Sequence, residues 1–132
     1  MGRNWTEEQQ QVVRHSEGDL LVAAAAGSGK TAVLVERIVT MLTDKEHPID
    51  IDRMLVVTFT RAAAAEMKER IGNRIAELLM EQPENELLQR QQRLLHNAAI
   101  TTIDSFCLQV VKEFFHRIDL TPGFRIGDEA EM

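Results

Sequence analysis

The sequence from residue 19 to residue 42, DLLVAAAAGSGKTAVLVERIVTML, joins a short apolar run to a helical pattern through a glycine-rich turn. The run at 19–24 follows Gly18 and predicts a buried strand. From Lys30 to Leu42 the apolar residues recur at helical spacing, which predicts a helix. A strand, a tight loop and a helix in this order aim backbone N–H groups and the positive end of the helix dipole at an anion. The segment therefore predicts a phosphate-binding loop, or P-loop.

The loop also supplies side chains suited to a nucleoside triphosphate and a metal ion. Lys30 is expected to reach the β- and γ-phosphates and Thr31 to ligate Mg²⁺, and these two are the candidate catalytic residues. Ala24 stands where the strict pattern has its first glycine. The remaining candidates for phosphate binding are Ala24, Ala25, Ala26, Gly27, Ser28 and Gly29. The loop alone does not fix the reaction, because small-molecule kinases, GTPases and nucleic-acid motors all use it.

The rest of the chain alternates helical and strand-like patterns, which predicts an α/β fold with a parallel sheet flanked by helices. Two further buried strands are predicted at 53–58 and 99–103. Further helices are predicted at 6–15, where Thr6 is the expected N-cap, and at 61–81, 84–96 and 104–117. Residues 118–132 are expected to form an irregular acidic tail.

Length and composition are typical of one globular domain, with 132 residues, 44% hydrophobic and 27% charged. This length excludes two complete nucleotide-binding domains within the chain. A single cysteine excludes a disulfide framework and favours a reducing cytosol, and no apolar run reaches the roughly 18 residues of a membrane span. The net charge of −6 is uneven, since residues 113–132 carry −3 whereas 61–74 carry +2. The acidity of the whole chain therefore does not exclude local contacts with DNA.

Four segments resemble, in the same order, motifs of the superfamily 1 helicases of the UvrD/PcrA/Rep type. AAAGSGKT at 24–31 resembles motif I, in which alanine commonly holds the first position, and WTEEQ at 5–9 resembles the Q motif. VTFTRAAAAEM at 57–67 resembles motif Ia, and ITTIDSFC at 100–107 resembles motif Ib. The resemblance implies that ATP is the fuel and that Gln9 reads its base, because a glutamine amide can both donate to and accept from an adenine edge.

In that family motif Ia contacts single-stranded DNA. The resemblance implies DNA-binding roles here and in motif Ib for Thr58, Phe59, Thr60, Arg61, Thr102 and Ser105. Phe59 is available for stacking on a base, with burial in the core as the alternative. Asp104 stands where the family often has histidine; an acid is unfavourable beside phosphate, so Asp104 is expected to cap the following helix. Cys107 is expected in the core.

The resemblance covers essentially all 132 residues and is most extensive for the AddA branch, the helicase–nuclease subunits of bacterial recombination complexes. There it includes AAAAGSGKTAVLVERI at 23–38 and IDLTPGFRI at 118–126. It implies that 1–132 is the N-terminal part of a RecA-like helicase ATP-binding domain, in a cytoplasmic DNA helicase and exonuclease of double-strand break repair and recombination. The implied partners are single-stranded DNA, duplex ends and an AddB-type subunit. RecB-type and plain UvrD-type parents stay open.

Several parts of such a motor are expected outside this chain, which is then a fragment of a larger machine. They are the carboxylate that activates water, the arginine fingers, the second motor domain and the nuclease metal site. We therefore expect the isolated chain to bind ATP weakly without appreciable hydrolysis. DEAE at 128–131 spells a DExx box, but the preceding FRIG contains a charge and a glycine, so no box is predicted there. His15, His47, His96 and His116 share no ligand spacing and are expected at the surface.

Two other classes of function stay open from the residues alone. A small-molecule phosphotransferase of the nucleotide-kinase type would need an arginine-rich lid, whereas the last third of the chain offers Arg117 and Arg125 among acids. The other class is a non-catalytic, truncated interaction module. Nucleotide binding that is lost on Lys30→Ala would count against such a module, and the absence of any nucleotide binding would favour it.

Overall fold

Helices make up most of the computed structural model, which describes residues 4–23, 29–119, 121, 123 and 127. The α-helices are α1 (Glu7–Arg14), α2 (Lys30–Leu42), α3 (Arg61–Glu81), α4 (Glu86–Leu94) and α5 (Ile103–Phe114). The strands are β1 (Leu55–Thr58) and β2 (Ala99–Thr102), and short 3-10 helices lie at Ile51–Arg53, Leu95–Asn97 and Phe115–Arg117. None of the helices in these described ranges is long and apolar enough to cross a membrane.

The two strands pair in parallel, with Leu55 opposite Ala99 and Thr58 opposite Thr102. Parallel strands need a crossover connection, and α3 and α4 supply it between β1 and β2. A mixed helix–strand architecture with a parallel sheet is therefore confirmed, with a sheet of two strands in the described residues. Each strand ends in a threonine and leads into the next helix, so the N-termini of α3 and α5 lie at the same edge of the sheet.

The core lies between α2, α3 and α4. Its buried cluster joins side chains of these helices and of the first 3-10 helix: Val35, Ile38, Val39, Leu42, Ile51, Met67, Ile71, Ile75 and Leu88. The helical spacing predicted for 61–81 is confirmed, because the buried residues of α3 recur on one face. On α2 the buried face includes Val33, whereas the neighbouring Leu34 is exposed. Burial of each large aliphatic side chain contributes on the order of 2 kcal/mol.

The strand predicted at 19–24 is wrong for residues 19–23, which adopt no regular structure, while Ala24 lies outside the described residues. Leu21 is 94% exposed, and Leu20 and Val22 are also exposed. A strand forms only where neighbouring backbone groups pair with its N–H and C=O groups. The described two-stranded sheet does not extend to this segment. The apolar side chains at 20–22 favour burial, but no described part of the chain covers them.

Helix α5 also departs from its predicted packing. Its bounds agree with the prediction for 104–117 once the following 3-10 helix is included, but none of its residues is buried. Cys107, expected in the core, is exposed, and so is Phe114. Amphipathic spacing is enough to predict a helix, whereas burial needs a second layer over it. In the described residues α5 contacts chiefly the two short strands and its own 3-10 helix.

A buried polar side chain fixes α4 against the 3-10 helix that precedes β1. The side chain of Gln91 is fully buried; its Oε1 accepts a hydrogen bond from the Ile51 N–H at 2.8 Å, and its Nε2 donates to Asp50 Oδ1 at 2.8 Å. Arg90 donates two hydrogen bonds to the same carboxylate, at 3.0 and 2.8 Å. Adjacent residues of α4 thus hold the chain just before β1.

Replacing Gln91 by alanine is expected to lower the free energy of unfolding by about 2 kcal/mol or more, because the buried Ile51 N–H loses its acceptor and a cavity opens. Urea denaturation measures this change. Gln92→Ala, at the exposed neighbour, is the control and should change stability by less than about 0.5 kcal/mol. Equal effects of the two substitutions would contradict the role assigned to Gln91.

The same contacts make stability depend on pH. Hydrogen bonds from Arg90 and Gln91 lower the pKa of Asp50 below its ordinary value. Because the folded-state pKa is the lower one, this contribution to stability is complete above the unfolded-state pKa of about 3.9 and is lost as the pH falls through the folded-state pKa. Below about pH 4, the free energy of unfolding of Asp50→Asn should therefore fall less steeply than that of the parent chain.

Urea denaturation at steps from about pH 5 to about pH 3 tests this dependence. Glu84→Gln, which removes one exposed carboxylate just before α4, is the control and should keep the slope of the parent chain. An Asp50→Asn slope equal to those two would show that the Asp50 contacts do not stabilise the folded state.

Candidate nucleotide site and strand-end surface

A cleft of about 860 Å³ lies between α1, the 18–23 segment and the N-terminal half of α2. Gln9 and Val12 line it from α1, and Lys30 and Leu34 line it from α2. Its volume falls within the range of roughly 300–1,000 Å³ that is typical of small-molecule sites, which combine apolar walls with a few polar groups. The structure thus brings together Gln9 and Lys30, which come from two separate sequence motifs.

Helix α2 begins at Lys30, and among the described residues no side-chain hydrogen bond from its N-cap position is seen. Its N-cap residue, Gly29, has φ +83° and ψ +22°, a left-handed conformation that favours glycine. N–H groups of the first turn point out of the helix end, where the helix dipole adds partial positive charge. Lys30 and Thr31 are both exposed at this end. The described residues thus place backbone N–H groups, an exposed lysine and an exposed threonine at one end of α2.

The side chain of Gln9 is held by a capping box at the start of α1. Thr6 Oγ1 accepts from the Gln9 N–H at 3.2 Å, and Gln9 Oε1 accepts from the Thr6 N–H at 3.0 Å. Because the amide oxygen must meet this N–H, the amide nitrogen faces another way. A Cβ added to Gly29 would lie 3.6 Å from that nitrogen, Nε2. The cap therefore holds the Gln9 amide nitrogen beside the N-terminal end of α2.

Arg37 joins α1 to α2 at the opposite end of α1. Its Nη1 donates to the carbonyl oxygens of Val12, at 2.7 Å, and His15, at 2.6 Å. These carbonyls lie in the last turn and at the C-cap of α1, where oxygens lack intrahelical donors and the helix dipole is negative. Arg37 is half-buried and lines the same cleft as Lys30. Arg37 was not among the predicted site residues; its one signal was a position seven residues after Lys30, on the same face of α2.

The residue before Arg37 joins α2 to α3. Arg74 Nε donates to Glu36 Oε2 at 2.9 Å, and Arg74 Nη2 donates to Glu36 Oε1 at 3.3 Å. These hydrogen bonds raise the pKa of Arg74 further above its ordinary range. The pair borders a second cleft of about 440 Å³, which Trp5 also lines. Adjacent residues of α2 thus hold two different helices, α1 with the Q-motif glutamine and α3 with the end of motif Ia.

The residues of motifs Ia and Ib meet at the carboxyl ends of the strands, because Thr58 and Thr102 are register partners. Phe59, directly after β1, is 92% exposed, so this ring lies outside the core formed by the described residues. Arg61 is the first residue of α3 and is also exposed. We refer to the edge formed by 58–61 and 102–105 as the strand-end surface.

Threonine side chains cap both helices at the strand-end surface. Thr60 Oγ1 accepts from the Ala63 N–H at 3.0 Å. Thr102 Oγ1 accepts from the Ser105 N–H at 3.1 Å and donates to Ser105 Oγ at 2.8 Å. Thr102 is 7% exposed, so its hydroxyl is engaged within the fold. Asp104 is not the cap that was expected, because the extended backbone ends at Thr102 and Asp104 already lies in the first turn of α5.

Some predicted site residues lie outside the described part of the chain. They are the loop residues Ala24, Ala25, Ala26, Gly27 and Ser28, together with DEAE at 128–131. Of the tail predicted at 118–132, the structure describes residues 118, 119, 121, 123 and 127. Within the described residues, no group of three or more histidine, cysteine, aspartate or glutamate side chains could hold a metal ion.

The histidines are at the surface with one exception. His47, His96 and His116 are exposed, as predicted. His15 is half-buried and its Nε2 is buried. The reason is its position at the C-cap of α1, where its carbonyl binds Arg37 and brings the end of the helix against α2.

Residues 5–132 match the family described as the UvrD/REP helicase N-terminal domain. The chain belongs to this family. Three proteins that are named as subunits of an ATP-dependent helicase/nuclease are similar to it. The protein of Clostridium perfringens strain SM101 is 62% identical over 131 residues, that of Clostridioides difficile strain 630 is 64% identical over 127, and that of Clostridium acetobutylicum is 59% identical over 129.

These alignments cover 99%, 96% and 98% of the chain but 10% of each relative. This member of the UvrD/REP family thus spans about a tenth of the length of those relatives. The resemblance to superfamily 1 helicases, and to their helicase–nuclease branch, is confirmed.

Proposed function

We propose that the chain is the nucleotide-binding part of an ATP-dependent DNA helicase–nuclease, with a P-loop, RecA-like arrangement. The observation that carries the proposal is the position of the Gln9 amide nitrogen beside Gly29, in the cleft that Lys30 also lines. A ligand with a base at one end and a triphosphate at the other suits a cleft that Gln9 and Lys30 both line. Similarity to relatives named as helicase/nuclease subunits supports DNA as the substrate of the motor.

In the proposed complex each polar group of the cleft has its own task. Gln9 hydrogen-bonds the adenine edge, and Lys30 neutralises negative charge on the β- and γ-phosphates. The first N–H groups of α2 bind phosphate oxygens, with loop residues 24–28 completing the phosphate site. The Thr31 hydroxyl suits Mg²⁺, a hard ion that prefers oxygen ligands. ATP supplies the phosphoanhydride bond whose cleavage drives the motor.

The strand-end surface is the proposed site for single-stranded DNA. Phe59 offers an exposed ring for stacking on a base, and Arg61 offers an exposed charge for a backbone phosphate. Thr58 Oγ1 donates to the Thr60 carbonyl at 3.0 Å, which shapes the turn that presents Phe59. Ser105 adds a hydroxyl at the start of α5. Thr102 acts on DNA through its bond to Ser105, since it is itself buried.

The wider setting extends the same proposal. The parent protein, paired with an AddB-type subunit, acts as a helicase and exonuclease on single-stranded DNA and duplex ends. It serves double-strand break repair and recombination in the cytoplasm. The chain alone binds ATP weakly without appreciable hydrolysis, since in the resembling family the water-activating carboxylate follows much later in the sequence.

Lys30→Ala is expected to weaken binding of Mg²⁺-ATP by about tenfold or more, because a charge-assisted contact to the phosphates is worth roughly 1.5–3 kcal/mol. Displacement of a fluorescent ATP analogue measures the Kd. Lys45→Ala, at an exposed loop lysine, is the control and should leave the Kd within about twofold.

An unchanged Kd for Lys30→Ala would contradict this site. No nucleotide binding by the parent chain would favour an interaction module instead. DNA-stimulated ATP turnover that Lys30→Ala abolishes would contradict the inactivity proposed for the chain alone.

Phe59→Ala is expected to weaken binding of a single-stranded oligonucleotide by roughly tenfold, the factor that one lost base–aromatic stack produces. Because the ring is exposed, the free energy of unfolding should change by less than about 0.5 kcal/mol. Fluorescence anisotropy at low salt measures the affinity. Met80→Ala, which removes an 84% exposed apolar side chain near the far end of α3, is the matched control. Equal losses in the two variants would count against stacking at Phe59.

A further inference from the structure

Arg37 makes none of the base or phosphate contacts proposed above, yet it lies where the two helices that supply them meet. It follows Lys30 by seven residues, about two helical turns, so the two side chains share one face of α2. Both line the cleft that Gln9 lines from α1. Arg37 therefore lines the same cleft as the predicted base-binding and phosphate-binding residues and lies toward the C-terminal end of α1.

Helix α1 needs a contact that sets its position. It has eight residues, none of which is buried, and an isolated helix of this length is marginal in water. The capping box between Thr6 and Gln9 closes the first turn but lies within α1 and its N-cap, so it does not orient α1 relative to α2. The bonds from Arg37 to the Val12 and His15 carbonyls do join the two helices. A charged donor at the negative end of a helix dipole is favourable in both charge and geometry.

We propose that Arg37 is a positioning residue that sets Gln9 for recognition of the base. Gln9 and Val12 are three residues apart and so lie on the same face of α1. Holding the Val12 carbonyl against α2 therefore sets the separation between Gln9 Nε2 and Gly29. Arg37 acts through Gln9, whereas Lys30 holds the phosphates independently. The inference rests on the proposed nucleotide site and adds to it the residue on which base specificity depends.

The ratio of the affinities for ATP and GTP shows whether the Gln9 amide is correctly positioned. Adenine offers an acceptor at N7 and a donor at N6, which a glutamine amide can bind with both of its polar atoms. Guanine has an acceptor, O6, in place of that donor, so only one of the two hydrogen bonds can form. When α1 is no longer tied to α2, both bases lose their contact with Gln9. The preference for ATP over GTP then falls, while the phosphate contacts persist.

The test uses the whole chain and three ligands: ATP, GTP and inorganic tripolyphosphate, which has the phosphates but no base. Arg37→Met removes the charge and the donors and keeps most of the aliphatic stem. We expect roughly a tenfold loss of ATP affinity and an ATP-over-GTP ratio close to one, with the tripolyphosphate Kd within about twofold of the parent value. Arg37→Lys, whose single ammonium can serve two carbonyls from a shorter stem, should restore part of the ratio. Arg14→Met, at an exposed arginine in the last turn of α1, should change nothing.

A double substitution tests whether Arg37 acts through Gln9. Gln9→Ala removes both polar atoms of the amide and so the contact that distinguishes the two bases, while Thr6 Oγ1 can still accept from the backbone N–H at position 9. We expect Gln9→Ala/Arg37→Met to have the same ATP-over-GTP ratio as Gln9→Ala alone, because the second change acts on a contact already lost. Urea denaturation of each variant establishes that it is folded.

Different results overturn different parts of this account. If Arg37→Met weakens ATP and tripolyphosphate by the same factor, Arg37 is merely structural and the inference fails. If Arg37→Met keeps the ratio that Gln9→Ala loses, Gln9 is positioned by other contacts and the inference fails while the nucleotide site stands. If Gln9→Ala leaves the ratio of the parent chain unchanged, the base-reading role of Gln9 fails and the role of Arg37 fails with it.

Discussion

Burial of the apolar face of α2 is the constraint on which the neighbouring helices depend. Ile38 and Leu42 lock this face into the cluster shared with α3 and α4. Rotation of α2 would expose these side chains, each at a cost on the order of 2 kcal/mol. The directions of the polar residues on its other faces are therefore set by the core, and this is why Lys30 and Arg37 stand on one wall of the same cleft.

The two helices tied to α2 are held in different ways. Helix α3 shares the buried cluster and also has the Glu36–Arg74 ion pair, so both apolar packing and an ionic contact fix its position relative to α2. Helix α1 contributes no buried residue, and Arg37 of α2 donates hydrogen bonds to two carbonyls at its C-terminal end. Segments with few buried apolar contacts open at lower free energy than the core. The part of the candidate site on α1, which carries Gln9, is thus expected to open at a lower free energy than α3, which carries the end of motif Ia.

The sequence predicted the features whose causes are local and missed contacts between residues far apart along the chain. The bounds of α2 and α3 follow from helical spacing, and Gln9 and Lys30 were found because each belongs to a motif with its own chemistry. The strand at 19–24 was wrong for its described residues because an apolar run does not reveal whether a neighbouring strand is available. Arg37 binds carbonyls more than twenty positions away, and Gln91 binds an N–H forty positions away. The sequence around such a polar residue looks the same whether its side chain faces solvent or binds a distant group. Only the packing of the helices therefore reveals its partner.

An unrestrained glutamine can present either its oxygen or its nitrogen to a ligand, because a half-turn of the amide exchanges the two atoms. In α1 that half-turn would set the amide NH₂ against the Thr6 N–H, donor facing donor, and would open the first turn of the helix. Folding of α1 therefore fixes Gln9 Oε1 at the Thr6 N–H and leaves Nε2 on the other side of the amide, with or without a ligand. A base bound as proposed would meet a side chain that already has one fixed orientation, so its recognition would carry a smaller entropic penalty.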